Sequence, residues 1–411
     1  MKFTKFLGVS VLALMAALPN AAHANGGNIG YCEMTITKKD VGIENAVDAT
    51  NHCKGMVYGY YGGGNFHITG LTTSVVDYSG QKFEVTSLTS SNMYEVLTVY
   101  IEDGSGKVPD AFTRLSGQTR LDTAIEVSKE GWPNGLQSAE KSVILARADN
   151  PADALAASSL SGVKDAPILL TYSSNVDQSV LNELARLNAK KVYLLGGSVA
   201  IHQGVETKLA NKGYVVERIS GSTRFETAAR INEEAGTSNN SKAIIANGYS
   251  VADALSASAD AAINGVPIYL ANKGDLPVNL PSSVTSVDVY GGSAVISDGV
   301  VSQLKSKGIS VNRIAGSNRY TTSIAGAENL KGSSSNIILV RGKSVNTTKE
   351  DYPDAVAASA LAHKLDAKIL LVHPWLDVAE TKAYLQGKNH NVYVLGGEAA
   401  ISQDVLKGLG L

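Results

Sequence analysis

Arginine and glycine recur in this chain at a fixed spacing that suits an anionic ligand. The stretch RLSGQTR runs from Arg114 to Arg120, RISGSTR from Arg218 to Arg224, and RIAGSNR from Arg313 to Arg319. Each copy has an Arg at both ends, a Gly at the fourth place and a small polar residue before the second Arg. A guanidinium is a planar fork of donors that matches a phosphate or a carboxylate. Each copy follows a short apolar run and opens a helical-looking stretch, and a helix N-terminus adds open N–H groups and about half a positive charge. Gly117, Gly221 and Gly316 would let the backbone turn its amides toward such a ligand, with Arg120, Arg224 and Arg319 facing it. Three cationic corners of this kind describe a multivalent anion binder.

The same residues allow a purely structural role. Asp153, Asp253 and Asp354 recur in a second shared motif, ADALAAS from Ala152, ADALSAS from Ala252 and PDAVAAS from Pro353. Each is a natural partner for a corner Arg and also a plausible N-cap. One carboxylate per copy predicts no metal site, and nothing in the pattern calls for a cofactor. A third recurrence is a glycine pair after an apolar run: Gly196-Gly197, Gly291-Gly292 and Gly396-Gly397. These pairs fit turn geometry or ligand contact.

The elements that must carry these residues repeat in order. The copies start roughly 100 residues apart, the size of a small domain rather than of a solenoid unit. After each corner comes a helix, then a strand: SVILARA from Ser142, KAIIANG from Lys242, NIILVRG from Asn336. The Asp-bearing helix start follows, then a second strand at PILLTY, PIYLAN or KILLVH. After another helix, a third strand runs into the glycine pair, and a last helix closes the unit. The strands are continuous apolar runs rather than alternating ones, as expected of strands buried on both faces. The expected fold is therefore α/β: three tandem small parallel-sheet domains over 111–213, 214–308 and 309–411. In such sheets ligands sit beyond the carboxyl ends of the strands, where all three polar motifs fall.

The totals fit a folded, exported chain. It has 411 residues, 44% of them hydrophobic, 40 glycines and a formal net charge of −2. That charge argues against bulk nucleic-acid binding. Residues 1–24 are expected to be a signal peptide, with Lys2 and Lys5, an apolar run from Phe6 to Leu18, and a small-x-small site at Ala22-His23-Ala24. No later stretch reads as a membrane span, and no lipid or sorting signal is visible. The two cysteines, Cys32 and Cys53, are expected to form a disulfide in an exported protein. Residues 25–110 read as a small, mainly β domain, with strand-like MTITKK, FHITGL, KFEVTSL and EVLTVYIED and a helix starting near Gly42. Its GYYGGGN run (Gly59 to Asn65) reads as an ordinary glycine-rich connection rather than as an aromatic loop that contacts sugars or a partner. GSGK at Gly104 to Lys107 lacks the first Gly and the Ser/Thr of a phosphate-binding loop.

Taken together, R-[IL]-x-G-x-x-R, [AP]-D-A-[LV]-x-A-S and V-x-x-x-G-G-x-x-x-I in triplicate resemble the type 2 cell-wall-binding repeat of Gram-positive surface proteins. The resemblance covers nearly all of 111–411. It implies Rossmann-like or Toprim-like domains packed around a pseudo-threefold axis as one module. It also implies a secreted protein held non-covalently to the cell wall through an anionic secondary polysaccharide. Polymer-binding positions carry over as Arg114, Gly117, Arg120, Arg218, Gly221, Arg224, Arg313, Gly316 and Arg319, with Gly196, Gly197, Gly291, Gly292, Gly396 and Gly397. The copies differ from one another. Lys368 replaces Pro167 and Pro267, residues 346–353 are inserted before Asp354, and Asn247 replaces Arg147 and Arg341, so one site is expected to be altered. The favoured function is wall attachment that displays the N-terminal domain. The alternative is a peptidoglycan hydrolase, amidase-like, or a modifier of one. Against it, a zinc amidase needs a His/Glu cluster, and only His52 and His67 lie in 25–110. A nucleotide-binding role lacks a GxGxxG after any strand.

Overall fold

A computed structural model of the chain describes residues 31–37, 68–69, 83–90, 94–101 and 112–411, without 155, 331–334, 345–351, 377–378 and 387–389. Two units divide between Asp110 and Ala111. In the first, all described elements are strands: β1 (Tyr31–Thr37), β2 (Ile68–Thr69), β3 (Phe83–Ser90) and β4 (Tyr94–Ile101). They form one sheet in the order β1-β4-β3-β2. β1 and β3 run antiparallel to β4, and the register with β3 slips between Val85 and Ser87. The helix expected near Gly42 and the Cys32–Cys53 pairing lie outside the described residues.

The second unit is a three-part α/β structure. It begins with β5 (Phe112–Leu115), α1 (Arg120–Gly131), β6 (Ser142–Arg147), a short 3-10 turn (Pro151–Ala154), α2 (Ala157–Lys164), β7 (Ile168–Thr171), α3 (Gln178–Arg186), β8 (Lys191–Leu195), α4 (Gln203–Asn211) and β9 (Val215–Ile219). The middle part comprises α5 (Arg224–Glu234), β10 (Lys242–Asn247), α6 (Val251–Asn264), β11 (Ile268–Ala271), β12 (Ser286–Tyr290), α7 (Asp298–Ser306) and β13 (Ser310–Ile314). The last comprises α8 (Arg319–Asn329), β14 (Asn336–Arg341), α9 (Pro353–Val356), α10 (Ala358–Leu365), β15 (Lys368–Val372), α11 (Ala379–Leu385), β16 (Asn391–Leu395) and α12 (Gln403–Leu409). Three parallel four-stranded sheets result, in the orders β7-β6-β8-β9, β11-β10-β12-β13 and β15-β14-β16-β5.

The sequence repeat is not the structural unit. The strand before each corner stays in one sheet, and the helix after it packs on the next. β9 completes the first sheet beside β8, whereas α5 packs on β11 of the second. β13 completes the second sheet, and α8 packs on β15 of the third. β5 closes the third sheet beside β16, while α1 packs on β7 of the first. Boundaries at 213/214 and 308/309 therefore fall one strand too early for the sheets, and the ring closes by joining the two ends of the unit.

Burial explains why three strands per copy are plain in the sequence and the fourth is not. SVILAR, KAIIAN and NIILVR are buried almost throughout, so they must be apolar on both faces. The edge strands VVERI and SVNRI are half-exposed and polar on one side. Among the helices, α2, α6 and α10 contact one another at the centre. Their sequences are rich in Ala and Ser, which lets the backbones approach closely. A Cβ on Gly162 would lie 1.8 Å from the Ala262 carbonyl oxygen, so no larger residue fits there. α6 is buried from Val251 to Ala262, as expected of a helix packed on all sides.

Candidate functional site at the carboxyl ends of the sheets

Each residue of the repeated corner has a local job. The small polar residue before the second Arg caps the helix. The Thr119 side chain accepts from the Asp122 amide, Thr223 from Glu226, and Asn318 from Tyr320 and Thr321. The loop doubles back onto the first helical turn, and Gly is needed because of that contact. A Cβ on Gly117, Gly221 or Gly316 would lie 2.2–2.3 Å from Asp122, Glu226 or Thr321. The Gly amides do not turn toward an open ligand site, as the sequence suggested. Those of Gly117, Gly221 and Gly316 donate to the hydroxyls of Thr123, Thr227 and Thr322 at 3.0–3.1 Å.

The two arginines of each corner serve different sheets. The first lies on the edge strand and reaches the glycine pair of the strand beside it. Arg114 donates to the Gly396 carbonyl (2.9 Å), Arg218 to Gly196 (2.7 Å) and Arg313 to Gly291 (2.7 Å). Arg218 also pairs with Glu206 at 2.8 Å, and Arg313 with Asp298 at 3.1 Å. The second Arg reaches forward to the residue after the next central strand. Arg120 donates to the Ala148 carbonyl, Arg224 to Gly248 and Arg319 to Gly342, at 2.8–2.9 Å. Arg319 also donates to the Tyr352 hydroxyl.

The recurring Asp lies beneath the glycine pair. Gly196, Gly291 and Gly396 have φ of +102°, +103° and +96°, and their amides donate to Ile219, Ile314 and Leu115. A Cβ there would fall within 2.6–2.9 Å of the Asp153, Asp253 or Asp354 carboxylate, so positive φ and close approach both demand Gly. Gly197, Gly292 and Gly397 instead face open space. Burial raises Asp153 above the usual carboxylate range; Arg224, the Thr227 hydroxyl and Arg147 oppose that rise. Arg224 ends the next copy of the corner and Thr227 lies three residues beyond it, so Asp153 meets partners outside its own repeat.

A shared joint results, where the loop after β6, the glycine pair after β8 and the next corner converge. It lies between two central strands whose crossovers leave on opposite sides, the position at which open α/β sheets bind ligands. The sequence missed Thr123, Thr227 and Thr322, whose place three residues after each second Arg was the available signal.

The joints are not identical. Arg147 forms a two-pronged pair with Asp149 at 2.6 and 2.9 Å. Asn247, in the same place, donates to the Val295 carbonyl and accepts from the amides of Tyr249 and Ser250. In the third part, His373 Nδ1 accepts from the Trp375 and Leu376 amides at 3.2 and 3.1 Å. Among the described residues there is no cluster of three His, Cys, Asp or Glu placed to hold a metal, and no helix long and apolar enough to cross a membrane.

Comparison with known proteins matches this geometry to a family. The model of cell wall binding domain 2 (CWB2) matches residues 114–206, 218–301 and 313–406. The N-acetylmuramoyl-L-alanine amidase LytC of Bacillus subtilis is 30% identical over 302 residues, 72% of this chain and 57% of its own length. The amidase enhancer of Bacillus subtilis is 30% identical over 341 residues, 82% of this chain and 44% of its own. The chain thus spans about half the length of these curated relatives. Two solved structures from Clostridium difficile share the fold. Cwp8 has a TM-score of 0.66 at 23% identity, covering 95% of this chain and 60% of that one. Cwp6 has a TM-score of 0.65 at 24% identity, covering 92% and 57%.

Proposed function

Because the chain belongs to the cell wall binding domain 2 family, we propose that it is an exported surface protein gripping an anionic secondary polysaccharide at its three joints. Wall binding follows from the family; the polymer's charge and the contact residues are our reading. The observation that carries it is the threefold recurrence of one joint, in which a second Arg and an open glycine turn lie at the carboxyl end of each sheet. We place the polymer contacts at Arg120, Arg224 and Arg319 and at Gly197, Gly292 and Gly397. In this reading Arg114, Arg218 and Arg313, with Gly117, Gly221, Gly316 and the buried Gly196, Gly291 and Gly396, hold those groups in place. Each contact is weak in salt, but a repeating polymer presents its next charge at high effective concentration.

The leader at 1–24 would export the chain, and a Cys32–Cys53 disulfide would then staple the N-terminal sheet that the repeats display. Co-sedimentation with isolated Gram-positive walls tests the reading. The protein should bind, be released by high salt, and bind poorly to walls stripped of anionic polymer. Undiminished binding to stripped walls overturns it.

A second reading has one specific support: the two curated relatives are named an amidase and an amidase enhancer. The protein would then cleave peptidoglycan or assist an enzyme that does. Clearing of peptidoglycan in a zymogram by the purified protein would favour it, and clearing only in mixture with an amidase would favour the helper role.

A further inference from the structure

Tyr249 is 61% exposed, although it lies only two residues beyond a buried strand. Its ring is nonetheless fixed. The Arg224 guanidinium lies 4.6 Å from the ring centroid, and Phe225 meets the ring edge-on at 5.8 Å and 74°. Arg224 is itself anchored by the Gly248 carbonyl at 2.8 Å, and the Tyr249 amide is held by Asn247 at 2.8 Å. Both the side chain and the backbone of this tyrosine are therefore set before any ligand arrives.

The fold does not need an aromatic at this place. The corresponding residues of the other two parts are Asp149 and Lys343, both polar. The change coincides with a second one. Where the first and third parts have Arg147 and Arg341, the middle part has Asn247, whose amide is taken up by the Val295 carbonyl and the Tyr249 and Ser250 amides. At this position the middle part has exchanged a cation for an amide, and two residues later it has gained an exposed ring.

We infer that Tyr249, stacked on Arg224, is a platform for one sugar ring of the wall polysaccharide, giving the middle part a charge-independent subsite at the place where the other two carry Asp149 and Lys343. This rests on the polymer-binding reading above. The guanidinium lies over the aromatic ring, and most of the residue stays exposed. An exposed, immobilised aromatic face presents apolar area at low entropic cost to the C–H face of a pyranose, whose hydroxyls point outward. The neighbouring Arg224 then contacts an acidic substituent of the same or the adjacent sugar.

The test uses the full chain, isolated Gram-positive walls and a salt titration. Tyr249→Ala should bind walls about threefold to tenfold more weakly than the parent at every salt concentration, with the slope of binding against salt unchanged. Tyr249→Phe should bind as the parent does, and both variants should melt as it does. Equal binding by Tyr249→Ala and the parent would overturn the stacking subsite while leaving wall binding intact. A weaker Tyr249→Ala with a shallower salt slope would also overturn it, since the ring would then act only by positioning Arg224. Failure of the parent itself to bind walls would overturn the polymer-binding reading instead.

Discussion

Leu115 lies opposite Leu395 in the third sheet, so the first and last strands of the second unit share one parallel ladder. Phe112 and Leu115 are buried there, and the Gly396 amide donates to the Leu115 carbonyl. Closing the ring in this way leaves no free edge on β16 and ties the last sheet to the start of the unit. Leu115→Ala should destabilise the whole unit by about 2–4 kcal/mol, although it sits on a four-residue strand at the edge of the repeats. Denaturant unfolding would check this; a loss below 1 kcal/mol (about fivefold in the folding equilibrium) would mean that β5 is dispensable.

The two members of each glycine pair should part company on substitution. Gly196→Ala meets both a φ of +102° and the Asp153 carboxylate at 2.6 Å, and should cost about 2–3 kcal/mol. Gly197→Ala meets nothing within 4 Å and should leave stability unchanged. Any loss of wall binding by Gly197→Ala would then report ligand contact rather than folding. Thermal melts alongside wall co-sedimentation distinguish the two effects.

At the opposite ends of the strands, Lys191 lies 3.0 Å from Glu140 and 2.8 Å from Glu217, with Glu234 at 3.8 Å. Burial alone would raise Glu140. The Lys191 and Tyr193 hydrogen bonds and the charges of Lys164 and Lys191 outweigh it and hold Glu140 below its usual range; Glu234 is lowered similarly. A carboxylate lowered in the folded state contributes stability above its unfolded pKa, and that contribution is lost as pH falls through the folded value. The parent should therefore weaken on acidification below about pH 4.3. Glu140 and Glu217 are partly exposed and screened by solvent, so Lys191→Met should lose about 1 kcal/mol at pH 7 and show a flattened acid limb. Urea midpoints across pH 3–7 measure both, and an unchanged acid limb in Lys191→Met would remove the cluster from the account.

His373 should produce a separate pH effect. Burial and the nearby charge of Lys343 lower its pKa, and Nδ1 accepts two backbone amides. Besides Lys343, the rings of Tyr320 and Trp375 face it, at 6.1 and 5.9 Å between centroids. Since the folded state prefers the neutral ring, this contribution is complete above the unfolded pKa, about 6.5, and declines as pH falls below it. Asn272 takes the matching role in the middle part, accepting from the Gly274 amide at 2.9 Å. His373→Asn should keep the turn and abolish the decline below about pH 6.5. Persistence of the same slope in that variant would assign it to other groups.

Much of this architecture is written locally. Strands such as VILA and IILV must be apolar because both of their faces are covered. The cap before each second Arg, and the glycines that lie against a helical turn or take positive φ, are required within a few residues of themselves. Periodicity and spacing report such requirements directly, so the three-part α/β fold and the three corners could be read from the chain alone. Where β5, β9 and β13 pair was not encoded that way. A half-polar parallel edge strand satisfies its hydrogen bonds against any open neighbour, and only the three-way packing of α2, α6 and α10 decides which neighbour lies within reach. The same holds for the arginines. A guanidinium signals affinity for an acceptor without naming it, and tertiary structure alone gave Arg218 to Gly196, Arg224 to Gly248 and Asp153, and a tyrosine ring to lie beside it.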